Sequence, residues 1–127
     1  MSTKERAYEL FQTIYYDSID RGDMKNAVTA LHDDVEWSHM QVWVHHNYTR
    51  DHGASELRGR AAVDELLSER VDNLAATKIE HKVRDMVFEN DKGAFLADVV
   101  GPDKSVPFFV WFELKDDLVY RYLLRPL

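Results

Sequence analysis

Apolar positions recur at helical spacing over the first part of the chain and at strand spacing over most of the second half. Ala7, Leu10, Phe11, Ile14, Tyr15 and Ser18 share one face of a 3.6-residue period, which predicts a helix over residues 3–20. Arg21-Gly22-Asp23 ends it, with Gly22 suited to the left-handed position after a helix and Asp23 able to cap a short second helix. The stripe of that helix is Met24, Ala27, Val28 and Leu31. Leu57-Arg58-Gly59-Arg60 leads into a third helix with Val63, Leu66, Leu67, Arg70 and Leu74 on one side. From residue 77 the pattern changes: 79–89, 94–100, 106–114 and 118–124 are rich in β-branched and aromatic residues and are separated by turn chemistry such as Asn90-Asp91-Lys92-Gly93. These connections are too short for parallel crossovers, so the strands form antiparallel hairpins. The expectation is one α+β domain over residues 1–127, helices first and then a meander, with the helices on one face of a curved sheet.

One strand precedes the third helix. In Asp33-Asp34-Val35-Glu36-Trp37-Ser38-His39, Val35, Trp37 and His39 share a face, and Glu36, Ser38 and Met40 share the other. The first set is apolar and points inward, which carries the His39 imidazole into the interior within reach of Tyr15. Residues 44–56 are polar and histidine-rich, contain Gly53 and lack periodicity, and so read as a long surface loop. His45, His46 and His52 in that loop do not predict a metal site. Adjacent histidines diverge, and neither a His-Glu-x-x-His helix nor a cysteine is present.

Composition narrows the function classes. Sixteen basic against 23 acidic residues give a formal charge of −7, and no basic cluster stands out, so a nucleic-acid backbone would be repelled. The absence of cysteine removes disulfides and thiolate chemistry. No apolar run approaches the ~20 residues of a membrane span, and the charged first residues do not read as a signal peptide. A cytoplasmic protein without a cofactor is expected.

Tyr15, Gly22-Asp23, Leu31 with Asp33-Asp34-Val35, and Leu57-Arg58-Gly59-Arg60 before the Val63/Leu67 helix occur in an order that resembles the nuclear transport factor 2-like superfamily, particularly its SnoaL-like and ketosteroid-isomerase-like members. The resemblance covers essentially the whole chain. It implies a cone in which three N-terminal helices close one side of a strongly bent, mostly antiparallel sheet around a pocket. It also implies that Tyr15 occupies the position of the isomerase tyrosine that donates to the enolate oxygen, and that His39 stands where that enzyme has its aspartate base. The isomerase's second oxyanion donor would align near Val110, which cannot donate. Where SnoaL-type cyclases use an aspartate near the last strand, this chain has Arg121 and Arg125.

Together these readings predict a small-molecule protein whose ligand is an apolar, carbonyl-bearing or cyclic compound. It would be an isomerase, cyclase, dehydratase or hydrolase with His39 as general base and Tyr15 as hydrogen-bond donor. The alternative is a non-catalytic ligand-binding or interaction domain of the same fold. Trp37, Trp43, Val63, Leu67, Phe108, Val110 and Phe112 are expected to line the pocket, with Arg121 if its side of the last strand faces inward. Phe109, Trp111, Tyr120 and Tyr122 fall on the opposite sheet face, which no helix covers, and so predict a homodimer through it.

Overall fold

The computed structural model describes residues 2–43 and 55–127, with residues 72–77 described in backbone only. The loop histidines His45, His46 and His52, and the Leu74 side chain, lie outside the described residues.

Helix α1 (residues 4–20) is continuous but changes pitch. Lys4–Tyr8 is α-helical, Glu9–Tyr16 is a π-helix, and Asp17–Asp20 returns to α. The backbone N–H of Asp17 donates to Gln12 O, five residues back. A wider turn carries adjacent residues onto the same face. Leu10, Phe11 and Gln12 are therefore all buried, and so are both Tyr15 and Tyr16. Gly22 takes φ 81° after the helix, and the Asp23 carboxylate caps α2 (Met24–Ala27) by accepting from Asn26 N at 3.1 Å. Strand β1 (Leu31–His39) follows a single 3₁₀ turn. Helix α3 (Arg60–Thr77) starts after Gly59, whose φ of 93° favours glycine.

The sheet has six strands in the order β2-β1-β6-β5-β4-β3. Strands β3 (Glu80–Glu89), β4 (Lys92–Val100), β5 (Ser105–Lys115) and β6 (Leu118–Pro126) form the expected antiparallel meander. Strand β1 joins β6 in parallel, the one parallel pair. Ser55 and Glu56, expected in the loop, instead begin strand β2 (Ser55–Arg58), which pairs antiparallel with β1. A four-residue strand is too short to show a period.

The register is irregular at three places among the described strands, and one of them lies in the β1–β6 pairing between Leu31 and Glu36. In β3 the register slips between Arg84 and Val87, with Asp85 at φ 51°. In β6, Arg121 pairs with Glu113 and Val119 with Leu114, so Tyr120 is the extra residue. That extra residue reverses the alternation. Val119, Tyr122 and Leu124 face the core, whereas Arg121 lies on the outer face. Arg121 therefore does not line the pocket. It donates to Glu36 Oε2 at 2.8 Å and to Glu113 Oε2 at 3.2 Å. Tyr122 is likewise corrected from the outer face to the interior, and Tyr120 packs edge-on against His32 with centroids 5.4 Å apart.

Strand β3 is a sheet edge, and α1 satisfies part of it. Gln12 accepts from Val83 N at 2.7 Å and donates to His81 O at 2.8 Å, while Asp20 accepts from His81 N at 2.7 Å. Phe11, Phe95 and Phe112 pack with centroids 4.6 to 5.9 Å apart and fill one end of the cone. The cavity lies toward the other end.

Candidate active site

The cavity is bounded by α1, β1, α3 and the inner face of the meander, and has a volume of about 70 Å³. At ~10–15 Å³ for a single water, that is room for roughly five waters or a small organic group. Its apolar wall includes Trp37, Trp43, Leu67 and Phe108. Its polar groups are Tyr15, Tyr16, His39, Gln41, Arg70, His81 and Tyr122. Apolar walls with several convergent polar groups are the usual make-up of a small-molecule site.

Tyr15, Trp37, Trp43, His39, Leu67 and Phe108 all lie along the cavity wall. Val63, Val110 and Phe112 are not among the lining residues, although each is fully buried. Strand alternation and helical period predict which side chains point inward, but not how deep along the cone they sit. Phe112 is spent on the aromatic cluster with Phe11, and on α3 the lining passes to Leu67 and Arg70, beyond Val63.

His39 ends β1 with its ring stacked on Trp37, at 5.0 Å between centroids and 3° between planes. Burial, reinforced by the positive charge of Arg70 and by His81 and Arg125, pushes its pKa down to about 3. It is a neutral imidazole at pH 7. Tyr15 accepts a hydrogen bond from Trp37 Nε1 at 3.1 Å and keeps its own O–H as a donor. Burial pushes the Tyr15 pKa up, against the opposing pull of Trp37 and Arg70, so it remains a phenol. Tyr16 and Tyr122 share a buried hydroxyl–hydroxyl hydrogen bond of 2.8 Å, and burial raises both.

The residues that sequence reasoning passed over are His81 and Asp20. His81 Nδ1 lies 2.6 Å from Asp20 Oδ1, and the imidazole stacks on Tyr16 at 5.0 Å and 6°. A carboxylate on Nδ1 fixes the tautomer that carries its proton there and leaves Nε2 with a lone pair. The signal was present in the chain. Ile79, His81 and Val83 share one strand face, so the imidazole had the parity of an inward residue. Among the described residues, no cluster of three His, Cys, Asp or Glu side chains is placed to hold a metal ion.

Residues 13–122 match the family model described as the SnoaL-like domain. The chain belongs to the SnoaL-like domain family. Solved structures agree on the fold. A protein assigned as a ketosteroid isomerase in Kribbella flavida DSM 17836 superposes with a TM-score of 0.63 at 17% identity, over 94% of this chain and 76% of that one. A protein assigned as a polyketide cyclase in Sinorhizobium meliloti gives 0.63 at 18% identity, over 88% of this chain and 90% of that one. An NTF2-like protein of unknown function from Mesorhizobium loti gives 0.69 at 11% identity, over 100% and 95%. No curated protein matches the sequence. At these identities the likeness establishes the SnoaL-like, NTF2-like cone, and chemistry has to be argued from the residues in the cavity. No described helix is long and apolar enough to cross a membrane.

Proposed function

We propose that this SnoaL-like protein is a small-molecule enzyme that moves a proton on an apolar carbonyl-bearing or cyclic compound, as an isomerase, cyclase, dehydratase or hydrolase does. The observation that carries the reading is the Asp20–His81 pair at the wall of a cavity that also holds Tyr15 and His39. The sequence reading gives the role of general base to His39. A base works best when its pKa lies near the working pH, and His39 is held near 3. In this proposal His81 therefore takes the proton at Nε2, and Asp20 stabilises the imidazolium that forms. His39 stays neutral and holds the ligand by a hydrogen bond. Tyr15 donates to the oxygen on which negative charge develops, in the positive field of Arg70.

A non-catalytic binding domain is the second reading. It is favoured by the narrowness of the cavity, since Trp37 and Trp43 occupy much of the space a larger ligand would need. Turnover of a panel of small enolisable ketones and cyclic esters by the unmodified protein and by His81→Gln separates the two. The enzyme reading expects turnover that falls at least ~10²-fold in the variant. Turnover indifferent to His81 would remove it as base, and binding without turnover would leave the second reading.

The proposal includes a homodimer formed through the outer sheet face. Leu96, Phe109, Trp111 and Leu123 are neighbours in the strand register there, and Trp111 is 39% exposed. It also includes a cytoplasmic location, which a chain without cysteine suits.

A further inference from the structure

Gln41 lies two residues past the end of β1 and lines the cavity, with only 7% of its surface exposed. Its Nε2 donates to Trp43 O at 2.7 Å, which fixes which way round the carboxamide sits. With the nitrogen so engaged, Oε1 is buried and has no donor among the described residues. It is the single side-chain atom so placed among them. Leaving a buried acceptor without a partner is costly, so such an atom marks a place where a donor arrives from outside the described residues. The other cavity groups complement it. Tyr15 can donate its O–H to a ligand oxygen, whereas Gln41 Oε1 can only accept, so there the ligand must donate.

We infer that Gln41 is a specificity-determining residue that selects substrates carrying a hydroxyl group near the reacting carbonyl. The ligand class is a small hydroxy-ketone or its enol, whose O–H donates to Gln41 Oε1 while its carbonyl oxygen accepts from Tyr15. This rests on the proposal that the cavity is the substrate site, but not on His81 being the base. A ketone with a methyl group in place of the hydroxyl leaves Gln41 Oε1 unpartnered and is discriminated against, as in other sites built to pair with a substrate hydroxyl.

Hydroxyacetone and butanone are a matched pair of probes, differing by hydroxyl against methyl and small enough for the cavity. Titration of each into the full chain, followed by the indole N–H resonance of Trp37, gives two dissociation constants. The expected result is a preference for hydroxyacetone that falls by roughly tenfold in Gln41→Leu, which removes the acceptor at similar volume. An unchanged ratio in Gln41→Leu, no preference in the unmodified protein, or no saturable shift with either probe would each overturn the inference. The wild-type ratio needs no variant, so a misfolded Gln41→Leu does not rescue it. The same ratio measured in His81→Gln separates the two proposals: selectivity that persists while turnover is lost supports both, and selectivity that persists with turnover unaffected removes His81 as base and leaves Gln41 in place.

Discussion

Asp20 holds His81 by two of its groups at once, the imidazole Nδ1 at 2.6 Å and the backbone N–H at 2.7 Å. One carboxylate thus sets both where the strand lies and how the ring is turned. This divides the effect of substitutions at Asp20. Asp20→Asn keeps an acceptor but loses the charge that stabilises an imidazolium, so turnover on any substrate found should fall by ~10²-fold or more with little loss of stability. A pH–rate profile and a urea melt of the same variant check this. A variant with full activity would exclude the pair from the mechanism.

His39 makes stability depend on acid. Its folded pKa, near 3, lies below the ordinary imidazole value of 6.5, so the unfolded chain binds the proton more readily. Stability from this group is therefore fully present above about pH 6.5 and is lost as pH falls toward 3, at no more than about 1.4 kcal/mol per pH unit. Urea midpoints measured between pH 7 and pH 4 should fall less steeply in His39→Phe than in the parent. Parallel slopes would mean that the imidazole is not desolvated.

Gly93 sits beneath the β3 bulge, where a Cβ would lie 2.4 Å from Val87 O and 2.6 Å from Phe112 Cζ. Neither backbone nor a ring in the aromatic cluster can withdraw cheaply. Gly93→Ala should cost about 1–3 kcal/mol, read as a lower urea midpoint. A Cβ at Gly101 would meet first the Trp43 indole, whose Cη2 would lie 2.3 Å away. Gly101→Ala should move that cavity wall and alter Trp43 fluorescence at a smaller loss of stability.

Trp111 tests the assembly. Trp111→Glu places a charge on the outer apolar patch and should convert a dimer to monomer in light scattering at micromolar concentration. A parent protein that is already monomeric would end the proposal of a dimer through this face.

The fold was largely legible because its signals are periodic. The α1 stripe, the Gly22-Asp23 stop and cap, and the four-strand meander all follow from spacing and turn residues. What escaped were local departures from period. The π-turns of α1 bury Tyr16 beside Tyr15, which a regular α-helix reading does not anticipate. The bulge at Tyr120 exchanges Arg121 for Tyr122 at the core, and either alternation was chemically acceptable in the sequence. Around the cavity, helical period turns Tyr15 inward and strand parity turns Trp37 and His39 inward, and all three line its wall. Strand parity turns His81 inward as well, but its pairing with Asp20 joins residues 61 apart on different elements, and no local spacing encodes that contact.

The way α1 seals the β3 edge has a consequence for self-association. An uncovered edge strand is a template on which another chain can add a strand. Gln12 and Asp20 occupy the outward N–H groups of Val83 and His81 and so deny that template to a neighbour. Because Asp20 also orients His81 in the proposed mechanism, that mechanism expects Asp20→Ala to lose turnover and to expose the edge to ladder growth together. Asparagine would remain protected against the second fault while suffering the first. On the proposed mechanism one carboxylate thus serves two ends, the chemistry of His81 and keeping the chain apart from its own copies.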